Sequence, residues 1–309
     1  MIIHEEYDNL NLVHPVVTIG VFDGVHLGHR HLLDHVVTRA GQTGGESVVI
    51  TFDPHPRLVL SEKTKGISFL STIEEKKKLL AELKIDHLVI IRFSKEFSNM
   101  EASDFIREIL VSKIGVKHLI VGYDNHFGKN KAGDMKKILE CSELFDFSVE
   151  QSEKVFEKDE AISSTTIRNA LLKGQLNDAN RWLGYNYCLT GTVVQGRKLG
   201  RVLGFPTANI KPADYYKLIP ADGIYAVEVL TGNGQLQGVL SIGFNPTVNK
   251  IKGNRSVEVH IFDFEGDLYG QAITVIFRFR LRDEKKFDNT EQLADQMKLD
   301  KQEAVRLLS

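Results

Sequence analysis

The chain has 309 residues, 42% of them hydrophobic and 26% charged, with a net charge of −2. That length is long for one core and comfortable for two domains of ordinary globular composition. The near-neutral balance argues against a general nucleic-acid binder, which shows a basic face, and no apolar run approaches the ~20 residues that span a bilayer.

The N-terminus, Met1-Ile2-Ile3-His4-Glu5-Glu6, lacks the apolar stretch of a secretory signal. Short apolar, β-rich runs at 16–20, 47–52, 87–93, 117–121 and 147–151 then alternate with helical patterns at 29–38, 72–83, 102–113 and 134–145. Such alternation predicts a parallel sheet with helices on both faces, whose ligands sit at the carboxyl ends of the strands. Lys76-Lys77-Lys78, beside Glu74 and Glu75, reads as a solvated helix face. Near Tyr185 the pattern changes to period-two runs at 188–194, 224–230, 235–242, 256–262 and 273–279, punctuated by Gly and Pro. These predict a closed antiparallel barrel, so the fold class is α/β followed by β. The end is helical: Asn289 or Thr290 can cap a helix over 291–299, and Asp300-Lys301-Gln302-Glu303 resembles a capping box for a separate last helix. Cys141 and Cys188 are far apart and lack metal-ligand spacing, which suits a reducing cytoplasm.

Two segments carry phosphate chemistry. In the first, Gly20-Val21-Phe22-Asp23-Gly24 follows a strand and His26-Leu27-Gly28-His29 opens a helix. A helix N-terminus attracts anions, and two imidazoles three residues apart share one face of its first turn. Gly28 removes a Cβ where a phosphate approaches the backbone, and Asp23 reads as a turn former. Further on, Ser163 or Ser164 can cap a helix that brings Arg168 one turn in, able to fork onto a phosphate. In the second segment, Thr207 and Asn209 offer hard oxygen ligands suited to Mg²⁺ on an extended stretch. Gly196, Gly200 and Gly204 leave it uncrowded, and Arg197, Lys198 and Arg201 supply positive charge. Glu258 sits in a β-patterned run, on one strand face with Ser256 and His260.

His26-x-Gly28-His29 with Ser163-Ser164-Thr165…Arg168 resembles the nucleotidylyltransferase superfamily. Together with Asp53-Pro54-His55-Pro56 and Gly122-Tyr123-Asp124-Asn125-His126-Phe127-Gly128 it is similar to the FMN adenylyltransferase module of bifunctional bacterial riboflavin kinase/FAD synthetases. Gly196–Asn209, with Ser241-Ile242-Gly243-Phe244-Asn245-Pro246-Thr247 and Glu258-Val259-His260, resembles riboflavin kinase. The resemblance implies a Rossmann-like adenylyltransferase domain over 1–184 and a barrel kinase domain over 185–309. It implies that riboflavin is phosphorylated with ATP to FMN, and that FMN then takes AMP from ATP to give FAD. ATP phosphates would lie against Gly20, Phe22, His26, Gly28, His29, Ser163, Ser164, Thr165 and Arg168 in one site. In the other they would lie against Gly196, Arg197, Lys198, Gly200 and Arg201, with Mg²⁺ on Thr207 and Asn209 and Glu258 as base. Flavin would lie near Asp53, Pro54, His55, Asp124 and Asn125, although the family often carries Phe and a basic or polar residue where this chain has Asn125 and His126. Three alternatives remain: a kinase with an inactive first module, a flavin sensor, and a barrel for single-stranded nucleic acid. The intact His26, His29, Ser164 and Arg168 oppose the first, the joint presence of Thr207, Asn209 and Glu258 the second, and the near-neutral charge the third.

Overall fold

Val16 and Val17 are both fully enclosed yet enter different cores, as a strand with helices on both faces requires. They belong to a computed structural model that describes residues 1–8, 10–123, 135–157, 160–196, 204–232, 234–244 and 255–309. Asp124, Asn125, His126, Arg197, Lys198, Gly200 and Arg201 lie outside the described residues.

The chain divides into two compact units, Met1–Ser164 and Thr165–Ser309. In the first, six strands pair in parallel: β1 (Ile2–His4), β2 (Val16–Ile19), β3 (Ser47–Asp53), β4 (His87–Arg92), β5 (His118–Val121) and β6 (Ser148–Gln151). Their order is β1-β4-β3-β2-β5-β6. From β2 the chain builds β3 and β4 on one side, then crosses to lay β5 on the other. The carboxyl end of β2, where Gly20–His29 begins, is therefore the topological switch point at which such sheets bind ligands. One face is covered by α1 (Leu27–Thr43) and α3 (Ile73–Glu82), around Leu33, Val36 and Leu80. The other is covered by α4 (102–114) and α5 (Met135–Phe145), around Ile106, Ile109 and Ile138. The helix α4 opens with an α turn at Ala102–Asp104 and continues with wider π hydrogen bonding over Phe105–Ile114. A short helix α2 (Pro56–Leu60) follows β3, and a small hairpin, β7 (Phe156–Glu157) and β8 (Glu160–Ala161), precedes the end of the unit.

The second unit takes in α6 (Ser164–Leu172) from Thr165 onward, and then α7 (Leu176–Leu183). A closed antiparallel barrel follows: β9 (Cys188–Val194), β10 (Ala208–Pro212), β11 (Gly223–Thr231), β12 (Gly234–Phe244), β13 (Arg255–Ile261) and β14 (Ala272–Arg282), in the order β10-β13-β12-β11-β14-β9. Asn180 in α7 donates to Phe277 O (3.0 Å) and accepts from Tyr187 N (2.8 Å), stitching the helix to the barrel. The pattern change near Tyr185 thus marks where barrel strands begin, and the compact unit begins earlier. Along β13, Val257, Val259 and Ile261 are buried, which leaves Ser256, Glu258 and His260 on the other face.

One expectation is corrected at the C-terminus. Residues 290–308 form a single helix, α8 (Thr290–Leu308), capped by Asn289 through Gln292 N at 2.9 Å. Asp300 caps nothing: it is mid-helix and buried, bound to Arg282 at 2.6 and 2.8 Å and to Gln296 at 3.0 Å. The pull of a distant arginine outweighs a local capping pattern, so the helix runs through.

Candidate active sites

In the first unit the strand-to-helix turn after β2 is strained. Phe22 and Val25 have φ of 50° and 37°, in the left-handed region that bulky residues avoid, and Gly24 between them has 81°. The Phe22 ring is buried and packs on Gly20, where a Cβ would meet it at 2.8 Å. Asp23 is more than a turn former. Its Oδ1 accepts from the amides of Leu70 (2.8 Å) and Ser71 (3.1 Å), Ser71 Oγ accepts from Gly24 N (3.0 Å), and Ser164 Oγ donates to Asp23 O (3.0 Å). These bonds hold the turn before any ligand arrives. His26 caps α1 by accepting from His29 N at 3.3 Å, and the two rings stack at 3.7 Å between centroids, 17° from parallel. A Cβ on Gly28 would press on the His26 ring at 3.3 Å. His29 Nδ1 is enclosed without a hydrogen-bond partner among the described residues. Burial, then His26 and Lys76, hold the His29 pKa well below its usual value. His29 is therefore a neutral ring with an unspent polar atom.

The adjacent carboxyl end of β3 carries Asp53, Pro54 and His55. His55 caps α2 by accepting from Arg57 N (3.0 Å) and stacks on Phe69 at 4.0 Å. Lys76 reaches the same strand end, donating to Thr51 Oγ1 at 3.3 Å while only 5% exposed. Burial pulls its pKa down to about 8, against the opposing pull of Asp23 and Asp53. Ser163 and Ser164 close the first unit. Thr165 and Arg168 fall in the second, where Arg168 Nη2 donates to Thr165 Oγ1 at 3.0 Å.

In the barrel, Glu258 of β13 lies opposite Asn209 of β10 in register, and Thr207 Oγ1 donates to Glu258 Oε2 at 3.4 Å. Thr207 precedes β10, so strand alternation does not govern where its side chain points. The Asn209 amide lies against Gly196, where a Cβ would fall 1.9 Å from Nδ2. A cavity of about 670 Å³ is lined by Glu258, Thr207, Phe205, Arg282 and Glu284 and walled by one face of α8, including Leu293 and Met297. A second, of about 600 Å³, is lined by Thr207, Pro206, Ala208 and the segment 264–269. Thr207 borders both. Burial and Asp222 push the Glu284 carboxyl up, so it is less readily ionised than an ordinary glutamate. His260 Nδ1 donates to Pro206 O at 2.9 Å, and burial lowers its pKa. Among the described residues no group of three or more His, Cys, Asp or Glu is arranged to hold a metal.

The FAD synthetase family pattern matches residues 10–166, and the riboflavin kinase pattern matches residues 183–308. A bifunctional riboflavin kinase/FMN adenylyltransferase of Listeria monocytogenes is 37% identical over 299 residues, 97% of this chain and 93% of its own. The chain belongs to the bifunctional riboflavin kinase/FMN adenylyltransferase family. The Escherichia coli K12 enzyme of that description is 37% identical over 286 residues, 92% of this chain and 90% of its own. A Streptococcus pneumoniae crystal structure described as a macrolide-efflux protein superimposes with a TM-score of 0.87 at 31% identity, covering 97% of both chains. In the present protein no described helix is long and apolar enough to cross a membrane. As a riboflavin kinase/FMN adenylyltransferase the chain acts on riboflavin, FMN and ATP, and its two activities yield FMN and FAD.

Two residues of this bifunctional enzyme escape the sequence reading. Lys76 reads as one of three solvated lysines, yet Ile73, Lys76, Leu80 and Leu83 recur at helical spacing, and that stripe faces the core. Glu284 follows β14 in a charged stretch, Arg282-Asp283-Glu284-Lys285-Lys286, which carries no sign of a cavity wall.

Proposed function

We propose that the span 1–184 carries FMN adenylyltransferase activity and 185–309 riboflavin kinase activity, each using its own residues. The observation that carries the kinase assignment is Glu258, 3.4 Å from Thr207 at the border of two cavities. The larger cavity, with Phe205, Phe287, Leu293 and Met297, suits a flavin ring, and the second suits ATP. Glu258 takes the proton of the ribityl hydroxyl as its oxygen bonds the γ-phosphorus and ADP leaves. Gly196, Arg197, Lys198, Gly200 and Arg201 keep the phosphate-binding role that the resemblance implies. The Thr207 hydroxyl and Asn209 amide oxygen are hard donors that suit Mg²⁺ sharing its remaining positions with water and phosphate. When bound, the ion would neutralise phosphate charge. Two cysteines free of disulfides suit a cytoplasmic enzyme.

At the first site the nucleophile is already a phosphate oxygen, so no base is needed. It bonds the ATP α-phosphorus as the bond to pyrophosphate breaks. His26, His29 and the turn amides from Gly20 to Gly28 hold the phosphates, with Ser163 and Ser164 as further contacts; Thr165 and Arg168 keep the phosphate-binding role that the resemblance implies. Asp53, Pro54 and His55 border the flavin, as we propose for Asp124 and Asn125. The test is incubation with riboflavin, ATP and Mg²⁺, with FMN and FAD resolved by chromatography. Glu258→Gln should lower FMN formation by about 10²–10⁴-fold and spare FAD formation from supplied FMN; His29→Ala should do the reverse. Loss of both activities in a folded variant would break the two-site assignment.

A further inference from the structure

The bonds from Asp23 to Leu70 and Ser71 set the start of α3 against the turn after β2, and a capping box of Thr72 and Glu75 fixes its direction. The result is that Lys76 points inward to the carboxyl end of β3, while Lys77 turns out to Glu74 and Glu5. The Lys76 ammonium has three donors and makes one hydrogen bond among the described residues, to the neutral Thr51 hydroxyl. It forms no ion pair there. Asp23 acts through space and has its Oδ1 engaged by two amides, and Asp53 acts through space from the strand end. His29 lies within electrostatic reach of Lys76, which opposes that ring's protonation. A buried cation with two unspent donors adds nothing to packing that a methionine would not supply, and its desolvation costs stability. Its place beside the His26–His29 pair, at the end of a central strand, gives that cost a use.

We propose that Lys76 is a further phosphate-binding residue of the adenylyl-transfer site, its ammonium directed at the triphosphate of ATP. This rests on the reading that the rim around His26 and His29 binds that nucleotide. Thr51 holds the ammonium by one N–H and leaves two for phosphate oxygens. As the phosphate of FMN bonds the α-phosphorus, the electron pair of the broken bond goes to pyrophosphate. Lys76 stabilises that growing charge and neither gives nor takes a proton.

The full-length chain tests this through FAD formation from supplied FMN and MgATP across a range of pH. Lys76→Met should lower kcat/KM for ATP by about 10–100-fold. Its thermal midpoint should equal or exceed that of the wild type, and riboflavin phosphorylation should be unchanged. Wild-type kcat/KM should fall as pH rises past about 8, where the free enzyme's amine loses its proton. Lys76→Arg, which stays charged, should move that fall to higher pH. Should Lys76→Met not fold, the pH profile of Lys76→Arg decides. Wild-type kcat/KM in Lys76→Met, or an alkaline limb unmoved in Lys76→Arg, would overturn the assignment of the lysine alone. A wild-type chain that makes no FAD from FMN would overturn the reading of the rim, and the lysine with it.

Discussion

Asp300→Ala is a sharp test of how the C-terminal helix is anchored. Asp300 and Arg282 have side chains 7% and 16% exposed, joined by two bonds of 2.6 and 2.8 Å. Alanine removes both, along with the 3.0 Å bond from Gln296, and leaves a guanidinium with its bond to Asp283 O at 2.9 Å. Removing one partner of a buried pair costs about 3–5 kcal/mol; the retained carbonyl bond places this case near 3. A unit of roughly 150 residues unfolds with an entropy of about 0.3 kcal/mol/K, so the midpoint should drop by about 10 °C. The sole tryptophan, Trp182, is buried in α7 of the same unit and reports the transition by fluorescence. Replacing both partners, Arg282→Leu with Asp300→Leu, should recover most of the loss, because no charge is then left buried. A midpoint for Asp300→Ala within about 3 °C of wild type would refute the reasoning, since that corresponds to under ~1 kcal/mol. A double variant as unstable as the single would refute it too.

Further outcomes are expected elsewhere. Gly196→Ala would place a Cβ 1.9 Å from Asn209 Nδ2, so the amide must turn away; the Mg²⁺ concentration for half-maximal FMN formation should rise, with FAD formation from FMN unaffected. Gly174→Ala meets a left-handed φ of 75° and an Arg280 contact at 2.7 Å. About 1–2 kcal/mol of strain should lower the second unit's midpoint by about 3–6 °C, read by Trp182 fluorescence. His29 stays neutral in the folded chain, whereas its unfolded counterpart takes up a proton near pH 6.5. Its contribution is therefore intact above that pH and is lost as pH falls towards the lower folded value. His29→Gln should flatten the acid side of the stability profile, measured by urea titration from neutral to mildly acidic pH.

Much of both units is legible because their strands are buried on a regular period. Val16–Ile19 is apolar throughout, and Val257, Val259 and Ile261 alternate with Ser256, Glu258 and His260. What escapes is short or non-local. β1 is three residues at a sheet edge, with Ile2 59% exposed, and β10 reads Ala-Asn-Ile-Lys-Pro, hardly a strand until β9 and β13 flank it. The capping pattern at Asp300 is local chemistry overridden by an arginine 18 positions away. Around the first site, His26 and His29 are visible as a motif because the turn that holds them is contiguous. The staple from Asp23 to Leu70 and Ser71 spans 47 and 48 positions and leaves no contiguous trace. Lys76 was within reach, since its place on the inward stripe of α3 follows from spacing alone.

The barrel's ladder of backbone bonds closes on its own strands, from β9 round to β10, without α8. Yet Asn289, the cap of that helix, and Leu293, Met297 and Lys301 within it, at four-residue intervals, form one wall of the larger cavity. One stripe of α8 can therefore vary without touching the strand pairs that close the barrel, whereas Asp300 of the same helix is tied to Arg282 of β14. Over evolutionary time a lineage can reshape that wall by changing a stripe on one helix, while the strands that close the barrel stay as they are.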